Sequence, residues 1–192
     1  MTILIAYSTK DSCWFASDGL VTSDGPIYSK NTCKIVLPDD ANFNCVFGVA
    51  GSLDVLSILK IKSKEFSSIT NVGDFTDCLH EYVSDSCAIR QYEGFKGFNV
   101  LLSFRDNPSL IYDIDESSSN VTTYRGFSIT GSGRPYVQGA ISYMKKHPQG
   151  YKNIRKVIFD LLDTAKESDV YCGGSSFIFR MSKDNVTNAI CG

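Results

Sequence analysis

Thr2, Asp18 and Lys34 are the residues near the start of the chain whose types and spacing could do chemistry together, with Asp18 16 positions and Lys34 32 positions beyond Thr2. A threonine hydroxyl is a weak nucleophile until a base takes its proton and positive charge favours the alkoxide. Threonine is small enough that a preceding initiator methionine is usually removed, so Met1 is expected to be absent from the working protein. Thr2 would then carry a free α-amine beside its own hydroxyl, one of the recognised nucleophile–base pairs. Such an amine titrates at about 7.7–8.0, so a neutral fraction is available as a general base. Lys34 beside it would depress the amine further by like-charge repulsion, and Asp18 would hold Lys34 charged and in place.

The elements that must position these groups are short strands. Ile3–Tyr7, a polar turn Ser8–Asp11 and a second apolar run Cys13–Ala16 read as a β-hairpin ending on Ser17-Asp18-Gly19. Thr22–Pro26 is a turn cluster, and the chain returns through Lys30–Leu37, so all three groups fall at strand ends. After a Pro38-Asp39-Asp40 turn comes the strand Cys45–Phe47. A helix is expected from Leu53 to Phe66. A second starts at Gly73-Asp74 with Phe75, Cys78, Leu79, Tyr82 and Val83 as its apolar stripe, and Gly94 and Gly97 bracket its exit. Strands Phe98–Phe104, Leu110–Ile114 and Val121–Ile129 follow, the last after a Ser117–Asn120 loop. Helices over Pro135–Lys146, stopping before His147-Pro148, and over Tyr151–Lys166 lead to closing strands Ser175–Met181 and Thr187–Cys191. The order βββββ–αα–βββ–αα–ββ predicts an α+β fold in which two antiparallel sheets pack together under helix pairs, a four-layer αββα sandwich.

At 192 residues the expectation is one domain over 1–192, and 43% hydrophobic with 21% charged is ordinary for a globular chain. A net charge of −2 supplies no field for nucleic acid or an anionic membrane. No run reaches the ~20 apolar residues of a membrane span, and the start lacks a secretory signal pattern. The seven cysteines (Cys13, Cys33, Cys45, Cys78, Cys87, Cys172, Cys191) are scattered without a Cys-x-x-Cys pair, which fits reduced thiols in a cytoplasmic protein and no metal site. Asn120-Val121-Thr122 and Asn185-Val186-Thr187 fit the glycosylation pattern only by chance if the chain is not secreted.

The spacing of Thr2, Asp18 and Lys34 resembles that of proteasome β-type subunits and HslV-like peptidases, members of the N-terminal nucleophile (Ntn) hydrolases. Phe47–Asp54 is similar to the family's glycine segment, Gly131–Tyr136 to its serine loop, and Ala165–Gly174 to its late Asp-x-x-Ser-Gly-Gly segment, all in family order. The resemblance implies a threonine-type endopeptidase without cofactor or metal. It implies the Gly48 N–H as an oxyanion donor, and Ser132 and Asp169 as groups that orient the amine and the deacylating water. Cys172 stands where the family carries serine, and a thiol is the weaker hydrogen-bonding group. Val21, Thr32, Val36, Val46 and Ala50 would line the specificity pocket; none is charged, so medium-sized apolar substrate residues are expected. The partners implied are peptides or unfolded proteins, further copies in a six- or seven-fold homo-oligomeric ring, single or stacked, and an ATPase unfoldase.

Two other readings compete. A scaffold subunit in which Thr2 never becomes N-terminal would form rings without activity; an α-type subunit fits less well, because those carry an N-terminal extension. A thiol enzyme would use Cys172 or Cys13 with His80 or His147, although His80 falls mid-helix and His147 precedes Pro148. Gly131-Ser132-Gly133 is not a phosphate-binding loop, because no Lys-Ser/Thr follows.

Overall fold

Side chains leave alternate faces of a strand, and along β1 (Ile3–Ser8) both faces are apolar. Ile3 and Ile5 enter one buried cluster while Leu4 and Ala6 enter another, so this strand lies between two layers. The structure is a computed structural model describing residues 2–22, 27–37, 43–90, 97–116, 120–146 and 153–188. The remaining strands are β2 (Ser12–Asp18), β3 (Val21–Thr22), β4 (Ile27–Ser29), β5 (Ile35–Val36), β6 (Cys45–Ala50), β7 (Asn99–Phe104), β8 (Ile111–Asp115), β9 (Val121–Tyr124), β10 (Phe127–Gly131), β11 (Ser176–Ser182) and β12 (Val186–Asn188). The helices are α1 (Leu53–Ile61), α2 (Ser63–Phe66), α3 (Val72–Arg90), α4 (Arg134–Lys146) and α5 (Ile154–Ser168).

Two five-stranded antiparallel sheets, ordered β10-β1-β2-β11-β12 and β5-β6-β7-β8-β9, make the centre, with β3-β4 as a separate ribbon. Leu4, Ala6, Phe15, Val46, Leu101 and Phe179 fill the space between the sheets. On the outer face of the first sheet, Ile3, Ile5 and Ile178 meet Val137 and Ile141 of α4 and Ile158, Leu161 and Leu162 of α5. On the outer face of the second, Phe47, Val49 and Leu102 meet Leu59, Phe66, Phe75 and Leu79. There the rings of Phe47, Phe66 and Phe75 lie with centroids 4.9–5.3 Å apart, tilted or edge-on. The fold is therefore the expected α+β sandwich with layers αββα.

Several boundaries differ from the expected ones. The stretch Val121–Ile129 is two strands in different sheets: β9 pairs with β8 and β10 with β1, the chain turning at Gly126. The helix expected over Leu53–Phe66 breaks at Lys62, whose φ −90°, ψ 8° leaves the α region and divides it into α1 and α2. Only Ile35–Val36 of the Lys30–Leu37 return is strand; the segment before it is irregular and held by individual hydrogen bonds. Six strands, counting β3 and β4, precede the first helix among the described residues. The Ser23–Pro26 part of the turn cluster, the Pro38–Asp40 turn, Gly94, Ser117–Ser119, His147-Pro148 and the end of the last strand lie outside the described residues.

Candidate active site

Strand register brings the first two groups together. β1 and β2 pair with Leu4 opposite Ser17, so Thr2 lies diagonally across from Asp18 at the same end of the sheet. Lys34 arrives from the other sheet, just before β5, where its N–H donates to Ser17 Oγ at 3.4 Å and its carbonyl accepts from Val49 N–H at 2.9 Å. All three are buried: Thr2 is 2% exposed, Asp18 0% and Lys34 4%. The Lys34 ammonium donates to Thr2 Oγ1 and, at 2.6 Å, to Asp18 Oδ1; the Thr2 hydroxyl donates to the same carboxylate oxygen.

A buried carboxylate needs its oxygens satisfied. Asp18 Oδ1 also accepts from Ile3 N–H at 3.1 Å, and Oδ2 accepts from Gly173 N–H at 3.1 Å and Leu20 N–H at 3.3 Å. Five donors from four segments thus fix it. Burial pushes the Lys34 ammonium below its ordinary value, an effect that attraction and hydrogen bonding to Asp18 offset in part.

Ser132 reaches the site by the same logic of register, since β10 pairs with β1 and Ile3 lies opposite Gly131. Its hydroxyl donates to the Thr2 carbonyl at 3.3 Å, as does the Gly133 N–H at 3.3 Å. Gly131 has φ +99°, and a Cβ there would stand 2.2 Å from that carbonyl oxygen, so only glycine permits this approach. Asp169, at the C-cap of α5, accepts from Tyr171 N–H at 3.0 Å and from the Cys172 thiol at 3.2 Å. Burial raises its carboxyl, but the hydrogen bonds from Tyr171, Ser132 and Cys172 outweigh that and leave it below its ordinary range.

A cleft of about 340 Å³ opens beside Thr2 and Lys34. Its walls are Leu20, Val21, Thr22, Val49 and Leu56, with Gly51, Ser52, Leu53 and Asp54 from the start of α1. Of the residues expected in the pocket, Val21 lines this cleft. Ala50 lines a smaller hollow across Thr2, shared with Gly51, Asn99 and Ser132. Val46 faces the space between the sheets and Val36 the helix-side core, as alternation requires of strands buried on both faces. Thr32 is tied down elsewhere, its N–H on Gly19 O at 3.0 Å and its hydroxyl on Ser29 Oγ at 2.8 Å. The wall is therefore different from the expected one, and it includes a carboxylate.

Gly48 also lies away from Thr2. Val49 N–H points to Lys34, so the neighbouring Gly48 N–H points to the opposite edge, towards β7, and its Cα packs on Leu4. Gly51, the residue after β6, borders both the cleft and the hollow together with Thr2. The signal that could have found it is Ser52. A serine before an apolar helical run is an N-cap; here it accepts from Val55 N–H at 3.4 Å, so the strand must turn into the helix at Gly51.

The thiols are poor nucleophiles. Burial pushes Cys13 and Cys172 up to about 12, the charges of Asp18 and Asp169 adding to the effect at Cys172. His80 is exposed on α3, and His147 lies outside the described residues. Among the described residues no cluster of three or more His, Cys, Asp or Glu could hold a metal, and no helix is long and apolar enough to cross a membrane.

No protein-family model matches the sequence, and no curated protein matches it. Solved structures do. The BPH protein of Thiobacillus denitrificans, determined in complex with epoxomicin, superposes with a TM-score of 0.69 at 20% identity, over 94% of this chain and 98% of that one. The eukaryotic HslV of Trypanosoma brucei superposes with a TM-score of 0.63 at 18% identity, over 94% of this chain and 99% of that one. The chain has the fold of the HslV-type Ntn hydrolases.

Proposed function

We propose that this chain is a threonine-type peptidase of the HslV and proteasome β-subunit family, with Thr2 as nucleophile once Thr2 is the first residue. The observation that carries the reading is the buried Thr2 hydroxyl, held between the Lys34 ammonium and the Asp18 carboxylate at the edge of a cleft. While Met1 is attached, the Thr2 nitrogen is an amide without an available lone pair; once freed, the amine takes the hydroxyl proton. Oγ1 bonds to the substrate carbonyl carbon, the C–N bond breaks, and the proton passes to the leaving nitrogen. Water then hydrolyses the ester and regenerates the threonine. Lys34, charged and held by Asp18 beside Oγ1, favours the alkoxide. Gly51, which borders the cleft beside Thr2, supplies the N–H that receives the oxyanion in this reading. Ser132 holds the Thr2 carbonyl, and Asp169, bonded by the Cys172 thiol, orders the surroundings of the Thr2 nitrogen.

The same reading carries assembly into a homo-oligomeric ring that encloses its sites, with unfolded polypeptide as substrate, an ATPase unfoldase as partner and the cytoplasm as location. The test is turnover of fluorogenic peptides by protein whose N-terminus has been defined by intact mass. Active protein should lack Met1, be inactivated by epoxomicin with one adduct located on Thr2, and lose at least 95% of its turnover (on the order expected for a missing nucleophile) in Thr2→Ala. Activity that persists in Thr2→Ala, or that belongs to chains retaining Met1, overturns the mechanism. Absence of turnover in chains beginning at Thr2 leaves the ring-scaffold reading.

A further inference from the structure

The segment between α5 and β11 supplies part of what holds Asp18. Gly173 N–H donates to Asp18 Oδ2 at 3.1 Å, and the Gly173 carbonyl accepts from Gly19 N–H at 3.0 Å. Ser175 N–H donates to the Lys30 carbonyl at 2.8 Å, on the stretch that leads to Lys34. Packing anchors this segment only in part: Asp169 and Cys172 are buried, whereas Val170 and Tyr171 stand exposed. One side-chain bond crosses its neck. Lys166, in the last turn of α5, donates from Nζ to Oγ of Ser176, the first residue of β11, at 2.5 Å. Ser176 is buried and lies opposite Asp18 in the β2–β11 register. Residues directly opposite in an antiparallel pair share a face, here the face of Ala16 and Ile178 that packs against α5. Lys166 also pairs with Asp163, but at 3.9 Å and with that carboxylate 61% exposed, so solvent screens the contact.

We propose that Lys166 is a positioning residue for the Thr2 site: through Ser176 it fixes the end of α5 against the start of β11, and so holds Gly173 N–H on Asp18. An ammonium bonded to a buried hydroxyl is costly to separate, because the hydroxyl would be left without its donor. With both ends of the segment fixed, Gly173 meets Oδ2 at a smaller cost in chain entropy. Without the bond, Leu20 N–H becomes the steadier of the two donors on Oδ2, since it belongs to the strand end beside Asp18 itself. The carboxylate then turns more freely away from the Thr2 hydroxyl and the Lys34 ammonium, which share its other oxygen. Lys166 does not line the cleft beside Thr2, so its loss acts on the attack by Oγ1 and not on substrate binding. The effect on rate rests on the peptidase reading; the hold on Gly173 does not.

Two measurements test it. In the first, amide hydrogen exchange is followed by mass spectrometry in wild type, Lys166→Met and Ser176→Ala. Both variants should exchange faster at residues 169–175, while peptides from β1 and α4 keep their wild-type rates. In the second, kcat and KM are measured for a fluorogenic peptide. Lys166→Met and Ser176→Ala should each lower kcat about tenfold, as for loss of a hydrogen bond to a charged group, with KM within about twofold of wild type. The double variant should be no slower than either single one, because both remove the same bond. Lys166→Arg, which keeps a charged donor, should recover most of kcat, and Asp163→Asn should leave it unchanged. Exchange at 169–175 that matches wild type in both variants, a rise spread evenly over the chain, or fully additive losses in kcat overturn the proposal. Faster exchange confined to 169–175 in protein that cleaves no peptide supports the positioning and overturns the peptidase reading alone.

Discussion

At the scale of single residues, the Thr2 site is a buried polar cluster whose members satisfy one another. Lys34 is the member whose loss has the widest consequence. Asp18 would keep its bonds from Ile3, Leu20 and Gly173 but lose its only cationic partner among the described residues. Breaking a buried pair from one side costs about 3–5 kcal/mol, and the three remaining N–H groups place the expected cost of Lys34→Ala near the lower end. Peptidase turnover should fall almost as far as in Thr2→Ala, and Lys34→Arg should not restore it, because a guanidinium sets its charge in a different place. Parallel urea unfolding and turnover measurements check both statements. Asp169 makes a prediction in pH. Its folded-state carboxyl lies below the ordinary 3.8, so it stabilises the fold above that value, and this contribution is lost as pH falls through the depressed pKa. Asp169→Asn removes the contribution. The stability gap between wild type and variant should be widest above pH 4 (about the unfolded carboxylate value) and should close in more acidic urea titrations.

At the scale of elements, the turn from β6 into α1 does the most positioning. It ends a strand that is hydrogen-bonded to Lys34, sets Gly51 at the cleft beside Thr2, and starts the helix that carries Asp54 and Leu56. Gly51 has φ +104°, and a Cβ there would lie 1.9 Å from the Gly97 carbonyl oxygen. A left-handed residue against backbone cannot relax by moving a side chain. Gly51→Ala should therefore shift this turn and reduce kcat at least tenfold (about 1.4 kcal/mol of transition-state stabilisation), with KM changed less. An unaltered kcat in a folded Gly51→Ala protein would remove Gly51 from the mechanism.

At the scale of the whole molecule, the two sheets bring together groups that neither holds alone. Thr2, Asp18 and Ser132 belong to one sheet and its turns, Lys34 and Gly51 to the other. Large apolar side chains remain exposed on the described surface, among them Ile61 at 80%, Tyr143 at 66% and Val170 at 83%. Under the proposed ring assembly some of this surface is buried between copies, and light scattering at micromolar concentration should give a mass several times the 21.2 kDa of one chain. A single-chain mass at that concentration would exclude a stable ring.

What the sequence determined by itself is set by local rules. Alternating apolar runs, helical stripes and turn residues were enough for the αββα layering and for placing Thr2 and Asp18 at one end of a hairpin, because each signal lies within a few residues of the element it encodes. Ser132 and Asp169 were legible only through motif resemblance, since nothing local says which loops meet. Tertiary structure decided the rest. The stretch Val121–Ile129 reads as one strand because pairing partners cannot be seen in it, yet its halves join different sheets. Gly48 and Gly51 look alike as glycines near a strand end, and only the direction of Val49 N–H, fixed by pairing with Lys34, tells which one faces Thr2. Val36 and Val46, expected at the cleft, belong to cores, while Asp54 lines it. On strands buried on both faces hydrophobicity no longer distinguishes one face from the other, so the lining of a cleft follows from packing between layers.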